Sequence, residues 1–480
     1  MRPRPMPILW IFLLLFLLAW MATATWHVMK PMPEGLDVAT PWEPVDEVTF
    51  LADMTYTTEN GERRSEQAIF DRILELVDGA ERLIVLDMFL FNDFAGETGD
   101  SHRPLSRELT RALIERQRAR PDLTIVLITD PVNTVYGSHD PAHLDALEAA
   151  GIQVVRTDLE RLRDSNPLWS GVWRLCCQWM DSRPGDGWLP DPLGDGRVTL
   201  ASLMRLLNFK ANHRKTVFAD RDGRWVGLVT SANPHDASSR HGNVALEFSG
   251  PAALDLLESE RAVARLSDLP FPALPPMDTA ASGRADGQMR VLTEAAIRDA
   301  VIGRIAAARS GESIDLAMFY LAHRGVIEAL LDARRRGVAL RVLLDANRDA
   351  FGRQKGGIPN RPAGMELHRA GIPVRWCHTQ GEQCHSKFLL HRGADGAATL
   401  ILGSANFTRR NLDNYNLETS VEWRASAAHP AMRQAAEFFE TRWGNGQGSL
   451  HSQPFETFAD DSAWHYWRYR FMEATGLSTF

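Results

Sequence analysis

From Pro7 to Ala24 the chain carries no charged side chain and is mostly Leu, Ile, Phe and Trp. As a helix this stretch spans roughly 27 Å, enough for a bilayer core. Arg2 and Arg4 precede it with no acid among them, which favours the N-terminal side in the cytoplasm and the rest of the chain across the membrane. Two fates compete for residues 1–24. One is an uncleaved anchor; the other is a signal peptide cut after Ala22-Thr23-Ala24, which has the small-x-small form of a cleavage site. The apolar run exceeds the ~7–15 residues of a signal h-region and so favours the anchor. A buried core helix fits the terminal, charge-free position less well. Residues 25–48 are rich in Pro, Glu and Asp and read as an extended tether.

Beyond the tether the apolar pattern occurs twice. Ile69, Ile73, Leu76, Val77 and Ala80 fall at helical spacing, and Leu83 to Phe91 reads as a buried strand. Ile297, Val301, Ile302 and Ile305 repeat the helix, and Ile314 to Tyr320 the strand. Met88-Phe89 and Met318-Phe319 close the two strands alike. A helix from Leu105 to Arg118 leads to a strand from Thr124 to Asp130. Its counterpart runs from Val326 to Arg336, with basic residues in its last turn and Gly337 at the C′ position, and leads to Leu340–Asp345. Leu147 to Ile152 and Leu367 to Ile372 match again before a third strand.

The pattern predicts an α/β protein of two tandem, pseudo-symmetric lobes, each a mostly parallel sheet covered by helices. The lobes occupy 49–266 and 289–446, with a Pro- and Gly-rich linker at 267–288 and a tail at 447–480. The first lobe carries an insertion at about 157–208 that the second lacks.

Composition narrows the class. With 480 residues, 44% hydrophobic and 24% charged, the chain is neither disordered, nor fibrous, nor a multi-span membrane protein. Four cysteines do not make a disulfide scaffold. A net charge of −8 counts against an obligate nucleic-acid binder. The basic residues comprise 48 Arg and only five Lys, which draws attention to each Lys that persists.

Two of those five stand in the repeated constellation that carries chemistry. The first copy has His213-Arg214-Lys215, Asp220 and Thr230-Ser231-Ala232-Asn233; the second has His385-Ser386-Lys387 and Gly403-Ser404-Ala405-Asn406. His and Ser are 18 residues apart in one copy and 19 in the other. On an extended strand residues i and i+2 face one way, so His and Lys project together. Asp222-Gly223 and Asp395-Gly396 turn the chain back, which returns Ser and Asn beside them. Imidazole, ammonium, hydroxyl and amide make a phosphate-binding set: Lys215 and Lys387 as point charges, Ser231, Asn233, Ser404 and Asn406 as donors. If the copies pack about a pseudo-two-fold axis, both His meet. One neutral His can then attack phosphorus while the other, protonated, serves the leaving oxygen. This chemistry requires no metal and no other cofactor.

These motifs resemble those of the phospholipase D superfamily, whose signature is H-x-K-x4-D followed by G-S-x-N. The resemblance covers about residues 50–445. It implies a two-lobed α/β/α fold with one site between the lobes, His213 as the nucleophile forming a phosphohistidine, and His385 as general acid and then base. The supporting Asp220 fits the pattern; its counterpart is Arg392, which puts the positioning of the second half in question. Thr230 stands where the family has Gly. The family's acid about a dozen residues past the motif Asn matches Glu418; the equivalent slot in the first copy is Asn243, with Glu247 further on as a second candidate.

Other signals are weaker. Trp169 and Trp173 in the insertion share a helix face, either dipping into lipid or packed in an ordinary cap. The aromatic stretch Trp464 to Phe471 reads as packed on the domain rather than on lipid. Cys377 and Cys384 suit a disulfide in an oxidising compartment better than a metal site, and adjacent Cys176 and Cys177 do not readily pair.

The leading expectation is an enzyme of the inner membrane, single-pass through residues 7–24, with its catalytic domain facing the periplasm or outside; secretion after cleavage is the alternative. It would hydrolyse or transfer the phosphatidyl group of a phospholipid, with phosphatidyl transfer of the cardiolipin-synthesis type as one form. A nuclease needs a basic groove, against which the net charge and the tether count. A non-catalytic scaffold rests on Arg392 alone.

Overall fold

The computed structural model describes residues 8–94, 102–274, 286–350, 353–354, 356–478 and 480. Arg2 and Arg4, and residues 275–285 of the expected linker, lie outside them. Helix α1 (Ile8–Met29) is long and apolar enough to cross a membrane. It runs into the expected tether, and the remainder of that segment is no free spacer. Leu36 and Val45 are buried, and Glu43–Pro44 pairs with a strand of the second lobe. The apolar side chains scattered among the acids find partners, so the segment straps the two lobes together.

The first lobe contains β1 (Asp46–Thr57), β2 (Arg63–Glu66), β3 (Leu83–Met88), β4 (Thr124–Thr129), β5 (Gln153–Arg156), β6 (Lys215–Arg221), β7 (Arg224–Thr230) and β8 (Asn243–Ser249). Their order in the sheet is β2-β1-β8-β7-β6-β3-β4-β5. The second lobe contains β9 (Gln288–Thr293), β10 (Ser313–Met318), β11 (Ala339–Leu344), β12 (Val374–Cys377), β13 (Lys387–Arg392), β14 (Ala397–Gly403), β15 (Thr419–Ser426) and β16 (Ser452–Pro454), ordered β9-β15-β14-β13-β10-β11-β12-β16. From β1 to β5 and from β9 to β12 the two sheets correspond strand for strand. The sheets are mixed, not mostly parallel. Only β3-β4-β5 and β10-β11-β12 run parallel; the hairpins that return Ser beside His make the rest antiparallel. All six positions of β3 are buried because both of its faces are covered. At the β6–β7 turn Asp222 and Gly223 both have positive φ (48° and 74°), as a tight two-residue hairpin requires.

The inner faces of the two sheets share one core. Phe50, Phe218 and Phe248 of the first lobe join Phe388, Phe438 and Phe439 of the second. Phe50 meets Phe388 and Phe438 edge-on, at 6.3 and 5.7 Å between centroids. Two helices fill the layer between: α3 (Pro251–Leu266) leaves the first lobe and packs on β9, and α4 (Pro430–Gly444) leaves the second and packs on β1. Each lobe thus covers part of the other, which fixes the relative placement of the two motifs.

The insertion forms helix α2 (Pro167–Cys176), which lies along α1. Trp173 is buried and Trp169 donates its Nε1 to the Met204 carbonyl at 2.9 Å, so both turn toward protein rather than lipid. Disulfides join Cys377 to Cys384 and, against expectation, Cys176 to Cys177. The tail ends in α5 (Ala463–Thr475).

Candidate active site

Each motif His lies one residue past a peptide that a buried carboxylate holds. Asp130, at the end of β4, accepts Asn212 N at 2.7 Å; Asp345, at the end of β11, accepts Cys384 N at 2.7 Å. His213 and His385 follow, 8% and 7% exposed, and Lys215 and Lys387 open the next strands. Each Lys donates back to the carbonyl of its own His, at 2.6 and 2.8 Å. Each also lies over an aromatic ring: Lys215 over Phe89 at 4.9 Å, Lys387 over Phe319 at 5.3 Å. Those rings flank His213 and His385 at 4.7 and 5.0 Å. The repeated Met-Phe pair in the sequence was the trace of these two walls.

The lobes exchange partners across the pseudo-two-fold axis. Glu418, from the second lobe, stands 2.9–3.0 Å from Nδ1 of His213 in the first. Asn243, from the first lobe, places its Oδ1 3.1 Å from Nδ1 of His385 in the second. With Nδ1 engaged, Nε2 of each imidazole is the nitrogen left to react. Behind each pair stands the motif serine: Ser404 donates to Glu418, and Ser231 donates to Asn243 Oδ1 at 3.0 Å. Ser404 Oγ also accepts Thr419 N, and Ser231 Oγ accepts Val244 N. Both hydroxyls, expected to meet phosphate, are therefore turned to orienting the His partners. Asn233 accepts Leu90 N through its Oδ1 at 3.3 Å, which leaves its amide as the donor. Asn406 is buried beside its own motif.

Glu418 has further support that sequence reasoning missed. Asn411 Nδ2 donates to it, and its own N–H donates to Glu294 Oε1 at 3.0 Å. The same Glu294 oxygen accepts Arg214 Nη2 at 2.8 Å. Arg214, the middle residue of the first motif, is fully buried and bridges the lobes from behind the site. Asp220 accepts the N–H groups of Glu81, Arg82 and Leu83 and so fixes the start of β3. Arg392 cannot do this in the second lobe; it pairs with Asp315 at 2.6 Å instead. Glu247 pairs with Arg72 and Arg221 and supports neither His. Four residues along β8 from Asn243 place it roughly 13 Å up the strand from the site.

Electrostatics divide the two halves. Burial pushes His213 down to about 4, although the Glu418 carboxylate opposes this. Burial also lowers His385, and Lys387, His241, Lys215 and His213 push it further the same way, well below the ordinary imidazole value. No carboxylate counters them there, because the partner is an amide. Burial brings Lys215 to about 7 and, with Lys215 next in weight, holds Lys387 well below the ordinary ammonium value. Burial works against the Glu418 carboxylate, yet His213, Lys215 and Ser404 together hold it below its usual range. An anion between them would relieve the mutual repulsion of His385, Lys387 and Lys215. Among the described residues no group of His, Cys, Asp and Glu has the arrangement of a metal site.

Two α/β lobes, each bringing one His and one Lys to the seam between them, have the fold of a solved phosphatidylserine synthase. Residues 301–443 match the family model described as cardiolipin synthase, PLD-like domain. The matched segment lies within the second lobe. Among solved structures, phosphatidylserine synthase of Haemophilus influenzae is similar over 92% of this chain and 97% of its own, with TM-score 0.53 and 9% identity. Polyphosphate kinase of Porphyromonas gingivalis matches over 85% of this chain, which spans about half (52%) of that protein, with TM-score 0.44 and 13% identity. The phospholipase D family member Nuc of Salmonella typhimurium covers 34% of this chain with 97% of its own, at TM-score 0.26 and 21% identity. No curated protein matches the sequence.

Proposed function

We propose that this chain is a membrane-anchored enzyme that hydrolyses or transfers the phosphatidyl group of a phospholipid through a phosphohistidine. The observation that carries this reading is the crossed pair of contacts, His213 to Glu418 and His385 to Asn243. It leaves two imidazole Nε2 atoms at one anion site with unlike partners. In the first step the neutral His213 Nε2 attacks phosphorus. The bond to the leaving alcohol breaks, and that oxygen takes the proton of His385 Nε2. Glu418 holds Nδ1–H of His213 and stabilises the positive charge the ring acquires. Lys215, Lys387 and the amide of Asn233 meet the phosphoryl oxygens. In the second step neutral His385 takes a proton from water or an acceptor alcohol, whose oxygen displaces His213. The lipid reading draws support from α1 and from the name of the matched family; the catalytic lobes would then face the periplasm or outside.

The test uses the full chain in phosphatidylglycerol liposomes, wild type beside His213→Ala, with lipid products read by mass spectrometry. Phosphatidic acid made only by wild type means hydrolysis. Cardiolipin made only by wild type means transfer to the alcohol of a second lipid. Identical lipid profiles with phosphatidylglycerol, phosphatidylethanolamine and cardiolipin as substrates would contradict the lipid reading and direct the assay to single-stranded DNA.

The amide behind His385 has a kinetic consequence. His385 donates only when protonated, so rising pH removes the acid. Asn243→Asp places a carboxylate on Nδ1, favours the imidazolium, and raises that acid's pKa. The alkaline limb of the kcat profile therefore moves to higher pH in Asn243→Asp. An unmoved limb would mean that His385 is not the acid.

A further inference from the structure

The expected depth of the hydrocarbon in α1 places other parts of the protein. A core of ~30 Å takes about 20 residues, which from Ile8 reaches the last turns of the helix. Trp20 and Ala24 lie within that span, and both are in contact with α2. Trp20 Nε1 donates to the Leu168 carbonyl at 3.1 Å. Gly171 permits the approach, since a Cβ there would stand 2.8 Å from the Trp20 ring and 3.1 Å from Ala24 Cβ. The start of α2 is thus held beside the C-terminal half of α1, and Leu168 is exposed there.

The end of α5 is fastened to the same place. Gly476, with φ of +75°, lies so close to the Ser165 carbonyl that a Cβ would stand 1.8 Å from it. Along α5 one face carries Trp464, Trp467 and Phe471, 72%, 66% and 57% exposed, at spacings of three and four residues. The opposite face is anchored: Tyr469 is buried, and Glu473 is turned inward to accept Arg409 N. Arg468 is exposed beside Trp467, so the outer face joins large aromatic rings to positive charge. Trp favours the bilayer interface, and Arg can reach lipid phosphates from it.

We propose that the outer face of α5, continued by Leu168 and Leu477, rests on the bilayer that α1 crosses and seats the catalytic lobes against it. The occupant is lipid because the end of α5 is fastened at Ser165, three residues before the Leu168 carbonyl that Trp20 of α1 holds. Tail and site are also in contact. Phe480 meets Tyr320 at 6.1 Å, Tyr320 meets Phe319 at 4.0 Å, and Phe319 flanks His385. Seating α5 on lipid therefore brings the second-lobe wall of the site to the headgroup layer, a clause that rests on the function proposed above. The sequence favoured packing of this tail on the domain; the structure packs one face of α5 there and leaves the other exposed.

The full chain in lipid nanodiscs tests this. Trp467→Cys carries an environment-sensitive fluorophore, and Ala394→Cys, in the exposed β13–β14 turn at the far end of those strands, carries the reference label. A nitroxide on the lipid acyl chain is expected to quench the label at 467 by roughly threefold more than that at 394 and to find it blue-shifted. Equal quenching at both positions overturns the proposal, as it would if the face served a protein partner absent from the disc. A second arm compares wild type with Trp464→Ser/Trp467→Ser on liposomal and on monomeric short-chain phosphatidylglycerol. A loss of about fivefold or more confined to liposomes is expected; an equal loss on both overturns it. If wild type turns over neither lipid, the function proposed above has failed, and the quenching alone decides the docking face.

Discussion

With His213 replaced by asparagine, phosphodiester turnover falls by on the order of 10⁴-fold or more, the scale expected when a nucleophile is removed. The side chain is almost wholly buried and pairs with Glu418, which keeps Ser404 and Asn411 after the change. The fold should therefore survive, with a melting temperature near that of wild type. The rate is read on a chromogenic phosphodiester, and circular dichroism confirms the fold. More than about one hundredth of wild-type activity in a folded His213→Asn chain would be incompatible with nucleophilic attack by this residue.

The second large effect is on stability. Arg214 is fully buried, pairs with Glu294 at 2.8 Å and Glu260 at 3.6 Å, and donates to the Ser259 carbonyl. Burial opposes its charge, and Glu294, Glu260 and Asp87 more than restore it. Arg214→Met keeps much of the volume and leaves those carboxylates without their cation. A loss of about 3–5 kcal/mol follows, the cost of an uncompensated buried charge. Adding Glu294→Gln removes one orphaned charge and recovers part of it, since the two residues share one network. Denaturant unfolding of the two variants measures both effects. A loss below about 1 kcal/mol in Arg214→Met would show that water or rearrangement replaces the bridge.

Much of this was legible in the sequence because it depends on local periodicity. The two H-x-K motifs, the hairpins behind them and the strand-for-strand repeat follow from the two-residue period of strands and from Asp-Gly turns. What lies across the pseudo-two-fold axis was not legible. The family resemblance marked Glu418, but nothing in the chain says that an acid of the second lobe serves the His of the first. Spacing brought Ser231 and Ser404 beside the His without fixing which way a hydroxyl points; the structure directs both to the His partners. Glu247 had the right chemistry, but sits too far along β8. Arg214 was hidden by its place between two residues with evident roles. The tether was misread because its few apolar residues are too sparse to show a period, yet Leu36, Val45 and Val48 are buried in the core the lobes share.

The division of labour between the two His is the centre of the account. It is tested most directly by mixing His385→Asn with a short-chain phospholipid, quenching within the first turnovers, and mapping modified peptides by mass spectrometry. The account predicts a phosphoryl adduct on His213 that forms and then decays slowly, because the base for the second step is gone. An adduct on His385 accumulating in His213→Asn, with none on His213 in His385→Asn, would contradict it.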